Sequence, residues 1–207
     1  MGIRRPAFSL LVAGEAIFLG AVVIGGLAYP GYDHGRQYIS ELGAHGAPTG
    51  WAVSWLGFLP SGLLIVGFCL IAAWDLRRRA GLAAGLLLMG WYAYGLVNSA
   101  FYPCAFECTR LEPSVTQAMH DLIGGTGYLA GAVGLFVIGA AGRRGAPAWL
   151  TPLSLACGGL ALVGFSGLVA DGEFRGLFQR LLETALVFAL LAFGLAWSRG
   201  RVTTARS

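Results

Sequence analysis

Residues 118–144 read AMHDLIGGTGYLAGAVGLFVIGAAGRR, and most of the architecture follows from them. A polar His120-Asp121 pair opens the stretch, no charge interrupts it between Asp121 and Arg143, and two arginines close it. An uncharged apolar run of about 20 residues, rising ~1.5 Å each as a helix, spans the ~30 Å hydrocarbon core of a bilayer. Within it, glycines 124, 127, 131 and 134 are spaced 3, 4 and 3 apart, which draws one stripe down a helix. Such a stripe admits a close neighbour where lipid supplies no hydrophobic drive between helices. Gly125, Gly127 and Ala130 also satisfy G-x-G-x-x-A, but that dinucleotide fingerprint has meaning only between a strand and a helix. Neither context exists here, so helix packing is the better account.

Five further runs share this character, and together the six cover residues 7–29, 51–74, 81–102, 118–141, 149–170 and 177–197. The whole chain agrees. Of its 207 residues 57% are hydrophobic and 12% charged, against roughly 45–50% and about 25% in soluble domains; the mean hydropathy is +0.70. A soluble enzyme is thereby excluded, and an all-α polytopic membrane bundle of six transmembrane helices is predicted. The longest connection, residues 30–50, leaves no room for a soluble domain, so one domain over residues 1–207 is expected.

Every basic residue is arginine, and ten of the fourteen fall at alternate connections: Arg4, Arg5, Arg77 to Arg79, Arg143, Arg144, Arg199, Arg201 and Arg206, with Asp75 the one acid among them. By the positive-inside rule that side is cytoplasmic, which puts both termini inside and the other loops outside the cell membrane. The opposite side holds Arg36, Arg110, Arg175 and Arg180 against Asp33, Glu41, Glu107, Glu112, Asp121, Asp171 and Glu173. The net charge of +4 is thus a topology signal rather than a nucleic-acid footprint, and the expected partner is membrane lipid. Tyr29, Trp51 and Tyr102 at outer ends, and Trp74, Trp149 and Trp197 at inner ends, match aromatic belts. The first run exceeds a signal-peptide h-region and no A-x-A site closes it, so it is expected to stay as a helix.

Ionisable groups within spans mark function by default, because charge at bilayer depth is costly. Glu183 lies ~9 Å below the outer end of the last span, with Arg180 and Gln179 one turn above it, so Arg180 is expected to neutralise it within one helix. Asn98, His120 and Asp121 fall in the same outer slab. The five residues make either a site or an interhelical polar clamp. Glu15 enters from the other side, ~12 Å above the inner end, and is expected to hydrogen-bond a neighbouring helix or to serve in a proton path. Cys104 and Cys108 share an outer loop, where a short disulfide and two free thiols are both open; Cys69 and Cys157 are buried packing residues. His34, His45 and His120 all fall on the outer side and are the candidate ligands should a catalytic zinc be present. The loop from Gly31 to Gly43 carries Arg36, Tyr38, Ser40 and Glu41 and is expected either to cover the bundle mouth and grip a headgroup or to remain a surface loop.

Four motifs, in order, resemble a known family: Tyr38-Ile39-Ser40-Glu41-Leu42-Gly43 after the first span, Phe101-Tyr102-Pro103-Cys104 with Cys108 after the third, His120-Asp121 opening the fourth and Gly176-Leu177-Phe178-Gln179-Arg180 opening the sixth. They resemble the prokaryotic six-helix membrane family called domain of unknown function 998, over essentially the whole chain. A fainter likeness, limited to the Tyr38 to Gly43 loop and the helix count, is to eukaryotic DRAM-like and Sfk-like membrane proteins. The family pattern has an acid directly after the loop cysteine, where this chain has Ala105. The resemblance implies six helices and outward-facing motifs, and no activity. Three functions stay open from the residues. One is an outer-leaflet cavity binding a lipid or isoprenoid through Arg180, Asn98, Tyr38, Ser40, Glu41 and Arg36. The second is a lipid-modifying enzyme with His120, Asp121 and Glu183 as acid and base, or with histidine-bound zinc. The third is a small transporter, for which no broken-helix inverted repeat is visible.

Overall fold

The computed structural model describes residues 2–109, 114–170 and 172–204. Arg110, Glu112, Asp171 and Arg206 of the charge map lie outside the described residues. Six helices are long and apolar enough to cross a membrane: α1 (Arg4–Ala28), α2 (Gly50–Asp75), α3 (Ala80–Phe101), α4 (Val115–Gly142), α5 (Leu150–Val169) and α6 (Arg175–Ser198). Two short 3₁₀ turns, Ile39–Gly43 and Phe106–Cys108, sit in connections, and the described residues contain no strand. The chain is an all-helical, multi-pass membrane protein, with each helix end within three residues of the apolar runs read above. α4 starts earlier than its apolar run because Ser114 caps it, its hydroxyl accepting the Gln117 N–H at 3.0 Å.

Consecutive helices pack side by side, and α6 returns to lie against α1. Three of the four glycines of the α4 stripe meet a neighbour, Gly124 having none within 4 Å: a Cβ at Gly134 would stand 2.9 Å from the Gly85 carbonyl oxygen of α3, and one at Gly85 would stand 2.9 Å from that of Gly134. Gly127 faces the Tyr92 backbone, and Gly131 meets Tyr92 and Leu186. The outward faces carry large apolar side chains, with Leu19, Leu70, Leu87, Val133, Val163 and Phe188 exposed, one from each helix, as lipid contact requires.

α2 is not uniform. Over Val53–Phe58 it widens into a π-helical turn, where the Leu59 N–H reaches the Ser54 carbonyl five residues back. Pro60 follows at once; it has no N–H to give, and its ring crowds the carbonyl four residues earlier, so a wider turn removes both conflicts. At the arginine-rich end the chain is tied across its length. The Arg4 guanidinium meets Asp75 at 2.8 Å and donates to the carbonyls of Trp197 and Val202, while the Trp197 indole donates to Asp75 at 2.9 Å. Arg79 donates to the carbonyls of Ala141, Arg144, Gly145 and Thr203.

Candidate functional site

Arg175, Gln179 and Glu183 recur every four residues at the start of α6 and so share one face. Each holds something different. Arg175 meets the buried Glu41 carboxylate at 3.2 Å and lies over the Tyr38 ring, 4.6 Å from its centroid. Glu41 in turn accepts the Tyr38 N–H and the Gln37 side-chain amide, both at 2.9 Å, which closes the Ile39–Gly43 turn on itself. Gln179 accepts the Ile39 N–H at 2.6 Å. Arg180 faces the loop too, donating to the carbonyls of Gln37 and Gly176, to the Tyr32 hydroxyl at 2.8 Å and to His34 Nδ1 at 2.8 Å. The seat depends on Gly176, since a Cβ there would collide with the Gln37 carbonyl. The loop between α1 and α2 is therefore clamped onto α6 by side chains from one and a half turns of helix.

Electrostatics follow the clamp. Burial, with the Arg180 guanidinium partly opposing it, pushes the Tyr32 hydroxyl up to about 12. Burial and then the Arg180 charge hold the His34 imidazole below its ordinary range, with Asp33 pulling the other way. His34 is in consequence a neutral acceptor for Arg180 at physiological pH.

Below the loop lies a cavity of about 200 Å³ to which every helix contributes, through Phe18, Phe58, Leu96, Tyr128, Phe165 and Glu183. Glu183 is buried in its wall, 4% exposed. The Tyr92 hydroxyl from α3 donates to one of its carboxylate oxygens and the Tyr128 hydroxyl from α4 to the other, the latter at 2.8 Å. Tyr128 also accepts the Gln179 side-chain amide at 2.7 Å. A continuous chain of hydrogen bonds thus runs from the loop backbone at Ile39 through Gln179 and Tyr128 to Glu183. The expected Arg180–Glu183 pairing is not formed: the two share a helix, but Arg180 turns toward the loop and Glu183 toward the tyrosines. Neither tyrosine was singled out in the sequence, although a tyrosine well inside an apolar span signals a hydroxyl that must find a partner.

The remaining candidates divide by place. Tyr38, Ser40, His120 and Asp121 line the cavity, whereas Asn98, Arg36, Glu41 and Arg180 do not. Asn98 donates to the Met119 carbonyl at 3.3 Å and so ties α3 to α4, Arg36 forms an exposed pair with Glu173 at 2.8 Å, and Glu41 lies under Arg175. Asp121 accepts the Gln117 side-chain amide at 2.8 Å, and Gln117 in turn accepts the Ala105 N–H at 2.8 Å, fixing the loop after α3 to α4. Cys104 and Cys108 are joined as a disulfide in that loop. Ser40 Oγ lies 3.3 Å from Cys108 Sγ, linking these two loops at the cavity. The three histidines are not brought together: His34 is held by Arg180, the His45 N–H donates to the Cys104 carbonyl, and His120 Nδ1 lies 3.0 Å from the Tyr102 carbonyl. The metal-capable group among the described residues is Cys104, Cys108 and His120, with ligand atoms all within 4.8 Å of one another. Glu15 is buried in α1 and does not line the cavity; its Oε1 has no hydrogen-bond partner among the described residues, so the expected interhelical bond is not made by that oxygen.

Six membrane-length helices surrounding a cavity with a polar wall define a polytopic membrane protein. Comparison with protein families places it further. The model of a family described as "Protein of unknown function (DUF998)" matches residues 12–197, and the chain belongs to that family. No curated protein and no solved structure matches it, so the likeness to DRAM-like and Sfk-like proteins has no match behind it.

Proposed function

We propose that the protein binds the polar end of a membrane lipid or isoprenoid in the cavity beneath the first outer loop. The observation that carries this reading is the composition of the cavity wall, where Phe18, Phe58 and Phe165 share the lining with Tyr128, Asp121 and Glu183. At about 200 Å³ the space falls below the ~300–1,000 Å³ of pockets that engulf a drug-sized ligand. It suits a headgroup or a ring, with the hydrocarbon tail left in the bilayer. The wall also favours one sign of charge. Arg175 and Arg180 are committed to the loop and Arg36 to Glu173, while Glu183 and Asp121 face the cavity. The head is accordingly one that donates hydrogen bonds and carries no negative charge, rather than a phosphate. The arginine-rich end is cytoplasmic and the cavity lies in the outer leaflet of the cell membrane, by the charge asymmetry of the loops.

Native mass spectrometry of gently extracted protein tests the reading. Gly125 lines the cavity, and nothing lies within 4 Å of a Cβ placed there, so Gly125→Leu adds bulk at the cavity wall from a point where its first carbon has room. A lipid-sized adduct on the wild type that disappears in Gly125→Leu at unchanged thermal midpoint is expected. A bare wild-type mass, or an adduct indifferent to the substitution, overturns the proposal. The acid–base alternative draws on His120, Asp121 and Glu183 sharing the cavity. It requires the adduct to be turned over, and His120→Ala to stop turnover while the adduct remains.

A further inference from the structure

Three soft or borderline ligand atoms converge at the cavity mouth. Cys104 is buried, Cys108 and His120 are half-buried, and one ligand atom from each lies within 4.8 Å of the others. Cys108 and His120 also line the cavity itself, so two of the three border a space, while Cys104 is buried. Their sequence spacing, C-x₃-C followed by a histidine twelve residues on, falls within the C-x₂₋₄-C range of thiolate zinc sites. The histidine is pre-oriented as well. Its Nδ1 lies 3.0 Å from the Tyr102 carbonyl, an oxygen that only accepts, so Nδ1 carries a proton and Nε2 is the nitrogen that would ligate. That is the arrangement by which metal-binding histidines are fixed, with a backbone carbonyl holding the far nitrogen. The second loop is held in place independently of the sulfurs, through Gln117 to the Ala105 N–H and through the His45 N–H to the Cys104 carbonyl. Opening the disulfide therefore need not release the loop.

We infer that Cys104, Cys108 and His120 form a redox-gated site for a thiophilic divalent cation of the zinc type, closed while the disulfide stands and opened by its reduction. The chemistry balances in two steps. A dithiol reductant gives two electrons and two protons to the Cys104–Cys108 bond, which breaks to two thiols as the reductant closes its own disulfide. The cation then displaces both thiol protons and takes two thiolates and one imidazole, three protein ligands that leave a fourth position for water or for the head of a bound lipid. The inference rests on the loop geometry and stands whether or not the cavity holds a lipid.

Cobalt(II) reports thiolate ligation directly, through a sulfur-to-metal charge-transfer absorption. Purified full-length protein is treated with a thiol-free reductant, checked for an unchanged size-exclusion profile and titrated with cobalt(II), then with zinc(II). One equivalent of cobalt per chain, with the thiolate band bleached by zinc, is expected in the reduced protein and neither in the oxidised protein. Cys108→Ser should abolish the band; His120→Ala, which leaves the disulfide and hence the oxidised fold intact, should weaken binding at least tenfold. A reduced protein that shows no thiolate band, or whose band is indifferent to His120→Ala, overturns the site. So does one that loses its folded profile on reduction.

Discussion

Arg180 and Glu183 stand one helical turn apart and serve different structures, Arg180 holding Tyr32, His34 and the loop carbonyls, Glu183 receiving two tyrosine hydroxyls. The loop contact carries a pH dependence. His34 in the folded chain lies below its usual 6.5 because of burial and then Arg180, so below that value the unfolded chain binds more protons there than the folded chain does. The contact is therefore intact above the ordinary histidine value and weakens as pH falls through it toward the lowered one. Deuterium uptake across residues 31–41, corrected for intrinsic exchange, should rise between pH ~7.5 and ~5.5, and His34→Gln should flatten that rise; equal uptake at both values refutes the argument. Spacing alone put Asn98, Arg180, Glu183, His120 and Asp121 in one expected slab, because a polar group inside an apolar run is conspicuous; of these, His120, Asp121 and Glu183 line the cavity. It missed which way each side chain turns. That is set by neighbours hundreds of atoms away in sequence, such as Tyr92 and Tyr128, whose apolar bodies hide them within a hydrophobic run.

The helices themselves were legible nearly to their ends, since length, charge and terminal aromatics all report one physical limit, the thickness of the hydrocarbon layer. The stripe on α4 was legible for a similar reason: spacing fixes a face whatever the partner. Its prediction is graded along the helix. Gly85 and Gly134 meet backbone to backbone, so Gly85→Val should lower stability by about 1–3 kcal/mol through overpacking. Gly124 meets nothing within 4 Å, so Gly124→Ala should be neutral or stabilising by up to about 1 kcal/mol, as alanine in place of glycine is in a helix. Thermal unfolding in one detergent compares the two, and equal losses would refute the close approach. The π turn of α2 was not legible beyond the presence of Pro60, because a proline can be met by a kink, a turn or a widened helix, and packing against the loop between α1 and α2 chooses among them. Here Ser54 donates to the Gly43 carbonyl at 2.9 Å, and Phe58 fills the space beside Gly43.

For the bundle as one object, the charge map makes a direct prediction of orientation. A fluorescent protein fused after the C-terminus should fold and fluoresce in the cytoplasm, whereas an exported phosphatase fused there should stay inactive, and the reverse pattern would invert the proposed cavity to the inner leaflet. Which helices touch was not legible, because six helices of similar hydrophobicity allow many arrangements and only shape distinguishes them. The arrangement adopted runs in chain order and closes where α6 meets α1, with Arg4 held by Asp75 and by the carbonyls of Trp197 and Val202. That closure has a bearing on biosynthesis. Four helices are made between α1 and the neighbour that closes the bundle, α6. A nascent chain stalled before α6 keeps an open flank on α1, with Arg4 held by Asp75 and its carbonyl partners Trp197 and Val202 not yet made, the kind of defect by which membrane quality-control proteases distinguish an unfinished product from a finished one.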